Sequence, residues 1–147
     1  MRRVTLVLSS VLLAACAKPE TPPAADTPAA PTINLADLAG NWMVQATARG
    51  SDSVIVMFSM TASADPKGWT MNLADRDPVP MVITVSGDSI IHTAGPYPSV
   101  LRQGVQVSVS GSMHLVDGEL VGPSVAHYVT SDSDSTANLW VTATREP

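Results

Sequence analysis

The chain has 147 residues, of which 45% are apolar, a formal net charge of −5 and one cysteine. A single cysteine excludes a disulfide within the chain, so a folded domain must be held by its core alone. The acidic balance and the lack of a basic cluster argue against nucleic-acid binding, because phosphate neutralisation supplies most of that affinity.

The first sixteen residues have the layout of a secretory signal. Arg2 and Arg3 form a basic start, and residues 4–15 are an apolar run. This run is too short to cross a bilayer, which takes about 20 apolar residues. It ends in the stretch LAAC, where Cys16 is the only cysteine. The stretch resembles the lipobox of bacterial lipoproteins.

That resemblance implies that residues 1–15 are removed as a signal peptide and that Cys16 becomes an acylated N-terminus. Lipoproteins retained at the inner membrane usually have Asp after this cysteine, whereas Ala17 stands here, which implies the outer membrane. We therefore expect a lipid-anchored protein of the bacterial cell envelope, at the outer membrane and in contact with the periplasm or the cell surface. Processing would leave six basic residues against 13 acidic ones, a net charge of −7.

Residues 16–32 are predicted to be the acylated cysteine and a disordered tether. Of the 16 residues after Cys16, five are Pro and five are Ala, with no apolar periodicity. Such a segment favours extended polyproline-like chain of about 3.1 Å per residue, or roughly 50 Å in all. The tether is expected to hold the domain, residues 33–147, away from the membrane.

The domain is predicted to be all-β, with one short helical turn at its start. Asn34 is the expected N-cap of this turn and Gly40 its terminator. Short runs rich in Val, Ile, Thr, Trp and Met follow, separated by Gly, Pro, Asp and Ser, which is typical of antiparallel strands. We predict eight strands, at 42–49, 53–62, 69–74, 79–86, 89–94, 104–116, 119–129 and 137–145.

Two tight turns, at residues 87–88 and 117–118, fix the predicted register of two hairpins. They pair Ile83 with His92 and Val107 with Tyr128, so that His92 and Tyr128 point inward. The same register pairs Val85 with Ile90 and Leu115 with Leu120, and it turns His114 and His127 outward.

Two features of the predicted strands leave the register open. Pro123 is placed to introduce a bulge that would reverse the second half of the seventh strand. In the first hairpin, the apolar faces match only if residues 50–52 act as a three-residue loop.

The two ends of the domain indicate that the sheet closes. The Gly-Asn-Trp stretch at residues 40–42 opens the first strand, and Arg145 ends the last. This pattern resembles that of the lipocalins and calycins, in which a Gly-x-Trp packs against an Arg of the last strand. The resemblance implies an eight-stranded antiparallel up-and-down barrel, with Trp42 and Arg145 capping its closed end. A cation over an indole face is favourable by about 0.5 to 2 kcal/mol.

Alternating strand direction sends the least regular connections to the other end of this barrel. The open end receives the predicted loops 49–52, 74–80, 95–103 and 130–136, while 63–68 and the two tight turns lie at the closed end. Long loops on one end of a rigid scaffold are where binding usually resides.

The sequence offers no catalytic or metal-binding constellation, so we predict no enzyme activity, no metal and no cofactor. The domain has three histidines but no cysteine that could join them as a metal ligand. The acidic segment 131–135 lacks the glycine and the terminal glutamate of an EF-hand loop. Ser99 lies near Arg102 and His92 in sequence, but there is no G-x-S-x-G motif.

Binding remains the best-supported class of function. We predict that a small apolar or amphipathic ligand occupies the barrel, near inward-facing and loop residues of the open end. The candidate ligand-binding residues are His92, Tyr97, Leu101, Arg102, Val107 and Tyr128. The alternative is an envelope interaction module, an inhibitor or assembly factor, that grips a protein or a glycan through the same loops. The protein partner is not identified by the sequence.

Overall fold

The computed structural model describes residues 32–131 and 133–147. The predicted signal peptide, Cys16 and the tether up to residue 31 lie outside the described residues, as does Asp132. Within the described part, no helix has the length and apolar character needed to cross a membrane.

The domain is a closed antiparallel barrel in which each strand pairs with its neighbours in the sequence and the eighth strand pairs with the first. This confirms the predicted all-β, eight-stranded up-and-down barrel. One helical turn precedes it. The elements are α1 (Leu35–Leu38), β1 (Gly40–Ala48), β2 (Val54–Ala62), β3 (Trp69–Asn72), β4 (Val79–Ser86), β5 (Ser89–Pro98), β6 (Gln106–Val116), β7 (Glu119–Tyr128) and β8 (Thr136–Arg145).

The helical turn plugs the closed end of the barrel. The Asn34 side chain accepts a hydrogen bond from the Ala36 amide, as expected of an N-cap, and both Leu35 and Leu38 are buried. The predicted terminator stands where expected: Ala39 is the C-cap, and Gly40 follows it with a φ of 134° as the first residue of β1.

Trp42 and Arg145 are paired across β1 and β8 at this closed end. The Arg145 guanidinium lies 4.5 Å from the Trp42 ring centroid and donates to the carbonyls of Ala39 and Asp37, at 2.7 Å each. The indole Nε1 donates to the Leu38 carbonyl at 2.8 Å. The last strand therefore holds the plug and the first strand together.

The two tight turns set the register as predicted. Ile83 pairs with His92 on β4 and β5, and Val107 pairs with Tyr128 on β6 and β7. His92 and Tyr128 are buried, while His127 is exposed and His114 is half-buried. Leu115 pairs with Leu120 and Val85 with Ile90, also as predicted.

The expectation that Leu115 belongs to the core face was wrong. Leu115 has the inward parity of Val107 and Met113, yet 48% of its surface is exposed. The residue adjoins the β6–β7 turn, where the strand runs past the end of the barrel interior. Its partner Leu120 is fully buried.

The bulge that Pro123 was expected to introduce is absent from the described register of β7. The pairing of β6 and β7 keeps one register throughout, and Leu120, Ser124 and Tyr128 are all buried. Pro123 has no N–H to donate, and the β6–β7 pairing is interrupted at this point rather than shifted. Gly122 and Pro123 pair with residues of β8 but have no paired residues on β6.

Two real bulges lie at the open end. The β1–β2 register expected from a three-residue loop holds from Gly40 to Ala46 and then shifts, so the connection covers 49–53. The second shift falls between Ala94 and Tyr97, at Gly95 with φ of 104°. It lets β5 continue to Pro98, so part of the predicted loop 95–103 is strand and the loop covers 99–105.

Candidate binding cavity

A cavity of about 70 Å³ lies inside the barrel and is lined from all eight strands and from the loop 99–105. Two indoles, Trp42 and Trp69, fill the closed half and are buried. Nearer the open end the inward positions include Ala46, Ala94 and Ala126, which leave the interior unfilled. The two indoles therefore fill the closed end of the barrel, and a cavity remains between them and the opening.

The structure brings the six candidate ligand-binding residues together. Five of them line the cavity, and the sixth, Arg102, lies over the ring of Tyr128 at 4.0 Å. The five lining residues are His92, Tyr97, Leu101, Val107 and Tyr128.

His92 is the one buried histidine among the described residues, and a serine that sequence reasoning missed holds it in place. Its Nε2 lies 3.3 Å from the Ser124 hydroxyl, which in turn donates to the Ser110 carbonyl at 3.2 Å. Both contacts are satisfied together if the serine donates to the carbonyl and accepts from His92, an arrangement that assigns the imidazole proton to Nε2. The inward parity of Ser124 was readable from the register once Pro123 was known to leave it intact.

Glycine makes room for this pair. Gly111 of β6 pairs with His92 of β5 on one side and with Ser124 of β7 on the other. A Cβ at Gly111 would lie 2.9 Å from the His92 ring and 2.4 Å from the Pro123 carbonyl oxygen. The absence of a side chain at Gly111 therefore leaves space for the imidazole to reach Ser124 across β6.

The other ring nitrogen of His92, Nδ1, is buried and has no hydrogen-bond partner within the described part of the chain. Burial lowers the pKa of His92 to about 4, so the imidazole is neutral at neutral pH. With the proton on Nε2, Nδ1 carries a lone pair. His92, one of the residues that line the cavity, thus carries an unpaired neutral nitrogen that is enclosed by protein.

The His92–Ser124 pair does not have the geometry of a hydrolytic dyad. The serine proton is directed to a backbone carbonyl rather than to the imidazole. No carboxylate in the described residues orients Nδ1, and the lowered pKa makes the imidazole a weak base. Ser99 has a structural role instead: its Oγ accepts hydrogen bonds from the backbone amides of Leu101 and Arg102 and so stabilises the loop 99–105.

The tyrosines and arginines of the open end form one connected group. Burial raises the pKa of Tyr97 to about 12, helped by the neighbouring Tyr128 and opposed by Arg76. Arg76, which sequence reasoning missed, donates from Nη1 to the Pro98 carbonyl. Its Nε is buried without a partner among residues 32–131 and 133–147. Nothing in the local sequence marked it, because its role depends on β5 reaching Pro98.

Three exposed apolar side chains surround the opening, and we call them the rim: Val100, Leu101 and Val129. They are 44%, 48% and 70% exposed, respectively. Val100 and Leu101 also line the cavity, so exposed apolar side chains form part of its opening, next to Arg102.

Arg102 joins the two longest loops of the open end. Its Nη1 donates to the Asp134 carbonyl at 2.6 Å, and its backbone amide donates to Ser99.

We expect Arg102→Ala to raise amide exchange in the loops 99–105 and 129–135 about tenfold, because it removes a hydrogen bond and a ring contact worth roughly 1.4 kcal/mol together. Exchange mass spectrometry measures this, with exposed Arg49→Ala in the loop 49–53 as the control. Unchanged exchange in both loops would refute the link.

The residues that the structure describes contain no cluster of three or more His, Cys, Asp or Glu side chains that could hold a metal ion. Comparison with known proteins found no matching family model, no matching curated protein and no matching solved structure. The site must therefore be interpreted from its own chemistry.

Proposed function

We propose that this protein is a lipid-anchored lipoprotein of the bacterial envelope that holds a small apolar or amphipathic ligand inside its barrel. The observation that carries the proposal is the unfilled apolar interior at the open end, bounded by exposed apolar side chains. A concave apolar surface with a few convergent polar groups is the usual composition of a small-ligand site. The function would be passive carriage or sequestration, with no bond made or broken.

The size of the cavity restricts the ligand. About 70 Å³ holds only a few small atoms, whereas typical ligand pockets measure roughly 300–1,000 Å³. A ligand must therefore be slim, with one end inside the barrel and the rest passing out beside Leu101 and Val100. Movement of the loop 99–105, which both lines the cavity and bounds the opening, would widen the entrance.

The test is to fill the cavity without touching its opening. Ala126 lines the cavity on β7, and we expect Ala126→Leu to abolish or weaken ligand binding at least tenfold while unfolding free energy changes by less than about 1 kcal/mol. The measurement is native mass spectrometry of both proteins purified from their own membranes, looking for an added mass lost on denaturation.

Ala143 provides the matched control, since it is fully buried on β8 but does not line the cavity. Ala143→Leu should overpack the core and lower the unfolding free energy by about 1–3 kcal/mol, leaving ligand binding intact in the folded fraction. An added mass that persists in Ala126→Leu, or no added mass in the unaltered protein, would contradict the carrier proposal.

A second function, an interaction module for a protein or a glycan, is favoured by the rim alone. Val100, Leu101 and Val129 expose apolar surface on two adjacent loops. An interaction module needs no cavity, so its binding of a partner should survive Ala126→Leu and be lost in Leu101→Asp. Ligand binding by a carrier, in contrast, should be lost in Ala126→Leu.

A further inference from the structure

Two arginines at the open end of the barrel have no carboxylate partner, and the inference drawn from them rests on the proposed function. Arg76 lies in the connection between β3 and β4, Arg102 lies in the loop 99–105, and both are half-buried. Each donates from Nη1 to a backbone carbonyl, that of Pro98 and that of Asp134 respectively. Neither guanidinium forms an ion pair with a carboxylate among residues 32–131 and 133–147. Their positive charges are therefore left for a partner from outside the chain.

Both guanidiniums lie beside the cavity, because each is next to a tyrosine that lines it. The Arg102 guanidinium lies 4.0 Å from the ring centroid of Tyr128. Arg76 binds the carbonyl of the residue after Tyr97, and its charge acts on the Tyr97 phenol. Tyr97 and Tyr128 pair with opposite sides of Val107 on β6, so their backbones are about 10 Å apart. The two charges therefore lie near one part of the cavity wall.

Arg102 keeps the edge of its guanidinium that binds carboxylates free. Its Nη1 donates to the Asp134 carbonyl, whereas Nε and Nη2 have no hydrogen-bond partner within the described chain and are not enclosed by protein. Nε and Nη2 together donate two parallel hydrogen bonds to the two oxygens of one carboxylate. In Arg76 the Nε atom is enclosed, so only Nη2 is left to reach a ligand. Arg102 is thus the stronger of the two donors.

The surroundings of the two arginines favour an anionic head group. The carboxylates on the same loops, those of Asp75, Asp77 and Asp134, belong to exposed residues, so water screens them more than it screens the half-buried guanidiniums. Burial raises the pKa of Tyr97 to about 12, so its phenol stays protonated at neutral pH and can donate to an anion. A cationic head group would be repelled by both arginines, and a neutral one would gain weaker hydrogen bonds.

The cavity determines the other end of the ligand. Its volume of about 70 Å³ and its mostly apolar lining suit the end of one slim apolar chain. Leu101 lines the cavity and is exposed at the rim, and Arg102 is the next residue. A chain that leaves the barrel beside Leu101 therefore brings its outer end to the Arg102 guanidinium.

We propose that the ligand is a single-chain amphiphile with a carboxylate head group, whose apolar end occupies the cavity and whose carboxylate binds the Nε–Nη2 edge of Arg102 beside Arg76. Arg102 selects the head group in this arrangement, and the cavity selects the chain. The bond from Arg102 Nη1 to the Asp134 carbonyl uses a different nitrogen, so it persists when the carboxylate is bound.

Three ligands with one chain and different head groups test the proposal on the purified full chain in nanodiscs, with empty nanodiscs as the blank. Octanoate, octan-1-ol and octylammonium differ in the charge of the head group. At neutral pH and low ionic strength we expect octanoate to bind about tenfold more tightly than the alcohol, and octylammonium more weakly than either. Raising the ionic strength to about 0.5 M should reduce the preference for octanoate to about threefold. Isothermal titration calorimetry gives the dissociation constants.

Four variants separate the head-group site from general effects on the loops, because loosened loops alter the binding of octanoate and octan-1-ol together. Arg102→Gln should bring the ratio of the two affinities to about one. Arg102→Lys keeps the charge but not the paired donors, so about threefold should remain. Arg76→Gln should lower the ratio about twofold. Arg49→Gln is the matched control: it removes an exposed charge from the loop 49–53 at the same end of the barrel and should leave the ratio unchanged.

The outcomes distinguish the head-group site from the cavity. Equal affinities for octanoate and octan-1-ol, both lost in Ala126→Leu, would overturn the head-group site and leave the carrier proposal standing. A preference for octanoate that persists in Arg102→Gln, or that Arg49→Gln reduces as much, would overturn the part assigned to Arg102. Octanoate binding that is unchanged in Ala126→Leu, or no binding of any of the three ligands, would overturn the carrier proposal and the head-group site together.

Discussion

Trp42→Ala should lower the free energy of unfolding by about 3–5 kcal/mol, the usual cost of removing a buried large aromatic side chain. Trp42 is 1% exposed, packs beneath the Arg145 guanidinium and donates to the Leu38 carbonyl. Its loss would leave a void at the closed end, an unpaired carbonyl in the plug and a guanidinium without its aromatic neighbour. Denaturant unfolding followed by far-UV circular dichroism provides the measurement.

The chain contains its own control for this substitution. Trp140 lies on the outer face of β8 and is 39% exposed, so Trp140→Ala should cost no more than about 1 kcal/mol. Trp42→Phe should fall between the two, since it keeps most of the apolar surface but leaves the Leu38 carbonyl without its donor. Equal losses for Trp42→Ala and Trp140→Ala would mean that the closed end does not anchor the fold.

Acidification from pH 6.5 to pH 4 should destabilise the barrel through His92, by up to about 3 kcal/mol. The pKa of His92 is about 4 in the folded protein and its ordinary value is 6.5. As the pH falls, the unfolded chain therefore takes up this proton first. The stabilisation that comes from keeping the buried imidazole neutral is complete above pH 6.5, the pKa of His92 in the unfolded chain. It is lost progressively between pH 6.5 and pH 4 and is absent below the pKa in the folded protein, about 4.

Comparison of variants isolates this contribution from that of the carboxylates. His92→Gln cannot titrate, so its unfolding free energy should fall less steeply between pH 6.5 and pH 4 than that of the unaltered protein. His127 is exposed on β7, and His127→Gln should retain the full slope. Parallel curves for the unaltered protein and His92→Gln would show that the imidazole is solvated or already charged in the folded state.

Much of the site could be predicted from the sequence because two turns determined the register. Strand side chains alternate between faces, so the turns at 87–88 and 117–118 assigned most inward positions of β4 to β7, although Pro123 left that of Tyr128 open. His92 and Tyr128 followed from that parity alone. The Trp42–Arg145 contact came instead from a family resemblance, supported by the meeting of first and last strands in a closed barrel.

The remaining features depend on backbone irregularities that side-chain alternation does not encode. The bulge at Gly95 extends β5 and thereby supplies the Pro98 carbonyl to which Arg76 donates. At Pro123, which lacks a backbone N–H, the β6–β7 pairing is interrupted but its register does not shift, whereas a bulge was expected. The exposed Leu115 depends on how far β6 runs past the core, which apolar patterning cannot locate.

The chain enters the barrel at the end opposite to its opening. The Ile33 amide donates to the Gly87 carbonyl at 2.9 Å, so the polypeptide arrives beside the plugged base. The opening lies at the opposite pole, among the loops that include Leu101. In a copy anchored through Cys16, the tether would reach the plugged base, and the opening would lie at the far end of the barrel from the point of attachment. Cargo could then enter or leave without displacing the segment that connects the barrel to its anchor.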